Sequence, residues 1–329
     1  MAMGIDRAVM KAAICRRYGP PDVVTIGDLP VPRPGARQVL VRVRATTVSA
    51  GDVRLRSARV PRGFGLLLRL GFGISGPRHP VLGAELAGEV VDVGRSVTRF
   101  SRGNRVFASL IGCHAEYVAV PEDAAALMPS GLSFATAAAL TFGGLTALLF
   151  LRDKARVQPG ARVLVNGASG TVGSAAVQLA RHFGAIVTGV CSAGNAALVR
   201  SLGADEVIDH AAEDFTAGRE RYDVILDAVG NCSFARCRRV LAPGGRLLLV
   251  VGDLPQMLGA LLRPSRGDLK VLGGIASVRR EDLLLLAELA ERGAFKPVID
   301  RSYPFARIAD AHAHVDTGRK KGSVVIELG

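Results

Sequence analysis

The chain has 329 residues, 49% hydrophobic and 22% charged, which is enough apolar mass for about two domains and excludes a disordered chain. Its 42 Lys+Arg against 29 Asp+Glu leave a net charge of +13, but the surplus is scattered Arg with no Trp and four Tyr, so nucleic acid is not an expected partner. Five cysteines without a signal peptide predict a reducing, cytoplasmic setting. Apolar runs such as Leu247–Val251 fall short of the roughly 20 residues that span a bilayer, so no membrane span is expected.

Residues 1–9 carry no pattern. From Met10 to about Pro121 the chain gives short β-type runs broken by Gly and Pro: Lys11–Cys15, Val39–Ala45, Ala87–Val93 and Glu116–Val120. Between them Pro61–Pro80 is Gly-rich and unusually apolar. It reads equally well as an apolar lid over a hydrophobic substrate and as a short packed amphipathic helix; contact with a membrane surface is the weaker third reading. Ser133–Leu151 is Ala- and Leu-rich and predicts a helix capped by Ser133.

Strands and helices then alternate. Strands are expected at Arg162–Asn166, Ile186–Cys191, Glu206–Asp209, Asp223–Asp227, Arg246–Val251 and Leu269–Ile275. The helices between them fall at Val172–Phe183, Ala196–Leu202, Phe234–Leu241 and Pro255–Leu262. This alternation predicts a doubly wound parallel sheet, an α/β Rossmann domain. A helix at Glu281–Arg292 and a strand at Ser323–Leu328 close the chain.

The sharpest local signal is the turn Asn166-Gly167-Ala168-Ser169-Gly170-Thr171-Val172-Gly173 between a strand and a helix. Glycines there bring backbone N–H groups and a helix N-terminus against a pyrophosphate. Gly167, Ser169, Gly170, Thr171, Val172 and Gly173 are therefore candidate dinucleotide ligands, followed along the later strand ends by Ala228, Val229, Gly252 and Ala276. An NAD site carries an acidic residue about 20 positions on, at the end of the second strand. Here Cys191-Ser192-Ala193-Gly194-Asn195 has none. A 2′-phosphate would meet no like charge, and Ser192, Asn195, His210 and Arg200 could donate to it, which favours NADPH.

Taken together, Val81–Val90 (VLGAELAGEV), Ala115-Glu116-Tyr117, Gly143–Ala147 (GGLTA), Asn166–Gly173, Ser201–Asp205 (SLGAD) and Ala242–Gly245 (APGG) resemble the zinc-free quinone oxidoreductase (zeta-crystallin-like) branch of the medium-chain dehydrogenases/reductases. The resemblance implies a β-rich GroES-like catalytic domain from residues 10–137 and 279–329, and an NADP-binding Rossmann domain over residues 138–278. It also implies a homodimer joined through the Leu269–Ile275 strand. The positions matching the family's zinc ligands are Ser49, Ala84 and Phe142, which cannot supply thiolate or imidazole, so no metal is expected.

The resemblance further places Ser49 and Thr146 near the nicotinamide and keeps an acidic group at Asp52, either a proton relay or a brace. His210 matches a position where relatives often carry a tyrosine against the adenosine ribose. The implied activity is hydride transfer to a small apolar quinone or α,β-unsaturated carbonyl. A zinc-free alcohol dehydrogenase working in reverse and a non-catalytic NADPH-binding protein are the alternatives.

Overall fold

The computed structural model describes residues 9–256 and 269–329. In chain order it contains β1 (Val9–Cys15), β2 (Val24–Pro30), β3 (Gln38–Val48), α1 (Ala50–Ser57), α2 (Gly65–Phe72), β4 (Glu85–Val93), β5 (Arg105–Ser109), β6 (Tyr117–Pro121) and β7 (Ala125–Leu127). Then come α3 (Phe134–Ala138), α4 (Thr141–Leu148), a π-helical turn (Leu149–Lys154), β8 (Arg162–Asn166), α5 (Thr171–His182), β9 (Ile186–Cys191), α6 (Ala196–Ser201), β10 (Glu206–Asp209), β11 (Tyr222–Asp227) and α7 (Phe234–Cys237). The chain ends with β12 (Leu241–Leu249), β13 (Lys270–Gly273), α8 (Arg280–Glu291), β14 (Ile299–Pro304), α9 (Ile308–Asp316) and β15 (Ser323–Glu327). The helix expected over Pro255–Leu262 lies mostly outside the described residues.

The chain forms two compact units. One comprises residues 1–60, 65–142 and 278–329, and the other residues 61–64 and 143–277. In the first, β14-β15-β3-β4-β5-β7 form a sheet with β6 paired to β3, and β1-β2 form a separate ribbon. Apolar side chains alternate inward from these strands, and α9 closes the core with Ile308, Ala311 and Val315. Gly88 sits where β4 crosses β3 most closely: a Cβ there would stand 2.1 Å from the Arg42 carbonyl oxygen.

The second unit is a six-stranded parallel sheet in the order β10-β9-β8-β11-β12-β13. The chain winds outward from β8 through β9 to β10, then returns to β11 on the other side of β8, so the winding reverses between β8 and β11. In open α/β sheets this reversal marks the crevice where ligands bind. Leu164, Val190, Ile225, Leu247 and Leu249 share its core.

Two expected helices are corrected. The helix anticipated over Ser133–Leu151 is interrupted at Ala139–Leu140, because the Phe142 N–H donates to the Glu85 carboxyl at 2.7 Å instead of to a helical carbonyl one turn back. The helix anticipated over Phe234–Leu241 stops at Cys237, since Leu241 pairs with Tyr222 and the Val240 carbonyl accepts from the Tyr222 N–H. The helical stretch Phe134–Lys154 also corrects the expected lack of long apolar runs. It passes the length and composition test for a bilayer span, yet 67% of its most apolar window is buried inside the protein, as suits a core helix.

His312 on α9 is fully buried, and neither ring nitrogen has a hydrogen-bond partner. Its ring meets that of His114 edge-on at 5.8 Å. Arg56, the other cation facing it, is held by the Gly19 carbonyl and Asp316. Burial, with smaller contributions from His114 and Arg56, holds the His312 pKa well below 6.5. The unfolded chain therefore takes up a proton near pH 6.5 that the folded chain refuses, and stability falls as pH drops below that value.

Two outcomes test this packing. Gly88→Ala should cost about 1–3 kcal/mol through forced backbone displacement, whereas Gly71→Ala in α2, with no atom within 4 Å of the added methyl, should be neutral or slightly stabilising; denaturant titration reads both. His312→Leu should flatten the loss of stability between about pH 7 and pH 5, measured by the same titration across pH. An unchanged pH slope would place the acid sensitivity elsewhere.

Candidate functional site

In the second unit the parallel registers bring the carboxyl ends of the strands into line. Asn166 pairs with Val190 on one side and Asp227 on the other, and Asp227 with Leu249, which pairs with Gly273. Gly167, Ser192, Ala228 and Val229 accordingly follow the ends of their strands along one edge of the sheet. Gly252 and Ala276 lie further along the segments that leave β12 and β13.

The turn after β8 is built on three glycines with distinct duties. Gly167 takes φ +81°, which only glycine adopts without strain. Gly170 is the N-cap of α5 and has no side chain to compete for the first-turn N–H groups. Gly173 lies so close to the turn that a Cβ would stand 2.0 Å from the Gly167 carbonyl oxygen. Gly143 extends this packing: a Cβ there would meet the Thr171 carbonyl at 2.6 Å, so α4 and α5 touch backbone to backbone. The arrangement presents a bare helix N-terminus at the sheet's switch point, which suits a pyrophosphate.

Beside it, the Asn195 side-chain amide donates to both the Ser169 and Ser192 hydroxyls, each at 3.1 Å. This ties the loop after β9 to the glycine turn and leaves each hydroxyl its own proton to donate. The Arg200 and Asp209 charges both act on neighbouring Cys191. Asp209 receives the Ala211 N–H at 3.1 Å, and His210 is exposed next to it with its backbone N–H on the Cys191 carbonyl. No carboxylate follows β9 before residue 205, so the residues present fit a phosphorylated ribose.

Asp227, which the sequence did not single out, organises the other side of the crevice. It is fully buried and accepts from the N–H groups of Val229, Gly230 and Cys232 at 3.0 Å and from the Asn166 amide at 2.9 Å. The Asn166 amide also reaches Asn231 at 2.7 Å and the Cys232 sulfur at 3.4 Å. Asp227 thus folds the Ala228–Cys232 segment back over the strand end. Cys232 and Cys237 are brought together; their shared hydrogen bond raises the thiol pKa of Cys232 and lowers that of Cys237.

In the first unit Ser49 is the N-cap of α1 and forms a reciprocal capping box with Asp52. The Ser49 hydroxyl donates to Asp52 at 2.6 Å and accepts from its N–H at 3.2 Å, while the Ser49 N–H reaches the same carboxylate at 2.8 Å. The second Asp52 oxygen receives the Gly83 N–H at 3.0 Å. Ser49 and Asp52 are both buried. Asp52 therefore braces the Ser49 turn, and its bond from the Ser49 hydroxyl is equally compatible with a relay.

Glu85 is a second buried carboxyl that the sequence did not single out. It accepts from Thr47, from the Thr141 hydroxyl at 2.7 Å and from the Phe142 N–H at 2.7 Å, with no cation among the described residues bonded to it. Burial pushes its pKa up against those three donors. The signal for it was a carboxylate inside the apolar run Val81–Val90. Thr146 is half-buried on α4, in the second unit.

The donor set does not fit zinc. Ser49 is committed to its cap, Ala84 and Phe142 offer no ligand atom, Cys113 donates to the Leu110 carbonyl, and His114 Nε2 is 2.8 Å from the Thr47 carbonyl. Among the described residues no three His, Cys, Asp or Glu side chains cluster as metal ligands. A small cavity of about 70 Å³ lined by Arg42, Glu116, Tyr117 and Phe305 contains none of the site residues.

Residues 35–130 match the alcohol dehydrogenase GroES-like domain family, and residues 202–326 the zinc-binding dehydrogenase family. The chain is 32% identical to the NADPH-dependent alkenal/one oxidoreductase, chloroplastic, of Arabidopsis thaliana, covering 96% of this chain and 79% of the relative. It is 31% identical to quinone oxidoreductase of Sus scrofa, covering 95% and 96%. Its fold superposes on the solved quinone oxidoreductase from Coxiella burnetii with a TM-score of 0.86 at 27% identity, covering 98% of this chain and all of that one. The glycine turn at the switch point, the GroES-like unit and these full-length similarities lead to one conclusion: the chain belongs to the medium-chain dehydrogenase/reductase family, in its quinone oxidoreductase branch.

Proposed function

We propose that this protein transfers a hydride from NADPH to a quinone or an α,β-unsaturated carbonyl without a metal ion. The observation that carries the reading is the carboxylate-free hydroxyl pair, Ser169 and Ser192, held by Asn195 beside the bare N-terminus of α5. Relatives named for NADPH-dependent alkenal reduction and for quinone reduction support the same chemistry.

Gly167, Gly170, Thr171, Val172 and Gly173 would hold the pyrophosphate through the helix N-terminus. Ser169 and Ser192, positioned by Asn195, with Arg200 and His210 nearby in sequence and register, would hold the 2′-phosphate. Ala228, Val229, Gly252 and Ala276 would line the crevice toward the nicotinamide, with Thr146 of the same unit as their neighbour. Bound there, NADPH supplies the hydride, and a conjugated acceptor needs no Lewis acid because its developing charge delocalises. Asp52 positions Ser49.

The reading includes a cytoplasmic homodimer formed through β13. That strand is a sheet edge, and Ile275 just beyond it is 95% exposed, an arrangement that proteins normally cover. The five cysteines are all unpaired, as suits a reducing compartment.

Two measurements follow. Ser192→Asp should weaken NADPH binding about tenfold or more while changing NADH little, because a carboxylate there repels the 2′-phosphate and removes a donor; wild type binding both equally would contradict the assignment. A panel of quinones and enones should give acceptor-dependent NADPH oxidation. Tight NADPH binding with no acceptor turning over would make the protein a non-catalytic binder, and NADP+-linked oxidation of alcohols alone would reverse its direction.

A further inference from the structure

The segment predicted as a lid or a packed helix, residues 61–80, folds in its centre as α2, but with its apolar side outward. Leu68 is the one buried residue of α2. Leu66, Leu67, Leu70 and Phe72 are exposed, as is Ile74 just beyond the helix, with Leu66 at 70% and Ile74 at 72%. The spacing of 66, 67 and 70 puts those leucines on one side. Gly65 and Gly71 have no atom within 4 Å of where a Cβ would stand, so among the described residues nothing covers the helix at those two positions. Contiguous exposed apolar surface of this kind marks an interaction site in a soluble fold.

Polar bonds hold the segment in this orientation. Arg78 donates to the Leu70 carbonyl at 3.0 Å, capping the C-terminal end of the helix, and Arg69 to the Ile74 carbonyl of the following turn at 2.9 Å. The Tyr18 hydroxyl donates to the Gly73 carbonyl at 2.7 Å, and its ring lies under the Arg69 guanidinium. Gly76 presses on the backbone of Arg16 and Arg17, whose side chains are exposed. The apolar residues are therefore displayed by a fixed platform.

The charge around the platform selects the partner. From Val53 to Ala84 the sequence contains six arginines and no Asp or Glu. Arg16, Arg17, Arg69 and Arg78 are all exposed, the last two bonded to the α2 segment and the first two on the backbone that Gly76 packs against. Two copies apposed through this face would bring these guanidinium groups together without a compensating carboxylate from the segment. An anionic lipid surface supplies both an apolar layer for the leucines and negative headgroups for the arginines.

We propose that α2 and the Gly73–Arg78 turn dock the protein onto anionic membranes, with Leu66, Leu67, Leu70, Phe72 and Ile74 inserted among the lipids and Arg16, Arg17, Arg69 and Arg78 at the headgroups. This inference does not depend on the hydride chemistry.

Co-sedimentation of the full chain with phosphatidylglycerol-containing vesicles, against pure phosphatidylcholine vesicles, tests it. Wild type should bind the anionic vesicles, and Leu66→Ser/Leu70→Ser/Ile74→Ser should lower partitioning by about tenfold or more. Arg16→Gln/Arg17→Gln should weaken binding to the anionic vesicles without altering the apolar side chains. Because the serine substitutions are at exposed positions, unfolding should remain as in wild type, checked by thermal melting. Three results would overturn the proposal: no binding to anionic vesicles, equal binding by the serine variant, or a concentration-dependent oligomer that the serine variant abolishes while vesicle binding persists.

Discussion

Three buried carboxyl groups, Asp52 and Glu85 in the first unit and Asp227 in the second, organise the loops around them, and among the described residues none is bonded to a cation. Each is surrounded by backbone N–H groups and by hydroxyl or amide donors. A buried carboxyl left without such partners costs several kcal/mol, so the surrounding loops are constrained to deliver their donors. This requirement fixes the Ser49 turn against Gly83, the start of α4 against β4, and the Ala228–Cys232 segment against β8.

Glu85 has the widest consequence. By taking the Phe142 N–H and the Thr141 hydroxyl it breaks what would otherwise be one apolar helix and anchors the start of α4 beside β3. A few residues on, Gly143 lets α4 approach α5 at the backbone, so the helix opening the glycine turn has a fixed neighbour. Within the second unit this contact backs the N-terminus of α5 at the sheet's switch point. A preorganised dipole of this kind suits a phosphate, since no loop need be ordered on binding.

Much of this was legible in the residues themselves. The βα alternation, the glycine turn and the missing acidic residue after β9 are local patterns, and the structure realises each of them. The ends of α3 and α7 were not legible, because they are set by distant partners: Glu85 for Phe142 and Tyr222 for Leu241. Asp227 and Glu85 were overlooked because a carboxylate inside or at the end of an apolar strand reveals its role only once its donors are in place. Asp52 was visible, but the donors on its two oxygens, Ser49 and Gly83, were not. The outward face of α2 was the hardest to foresee, since an apolar run in sequence normally predicts burial.

The account stands on a metal-free hydride transfer in which the chain contributes binding and positioning. The most direct test is turnover of an enone with NADPH deuterated at C4, in the presence of a strong chelator, with the product analysed by mass spectrometry and NMR. The account predicts deuterium on the β-carbon of the reduced product and a rate unaffected by the chelator. Product lacking deuterium from either C4 face, or a rate lost with chelator and restored by zinc, would contradict it.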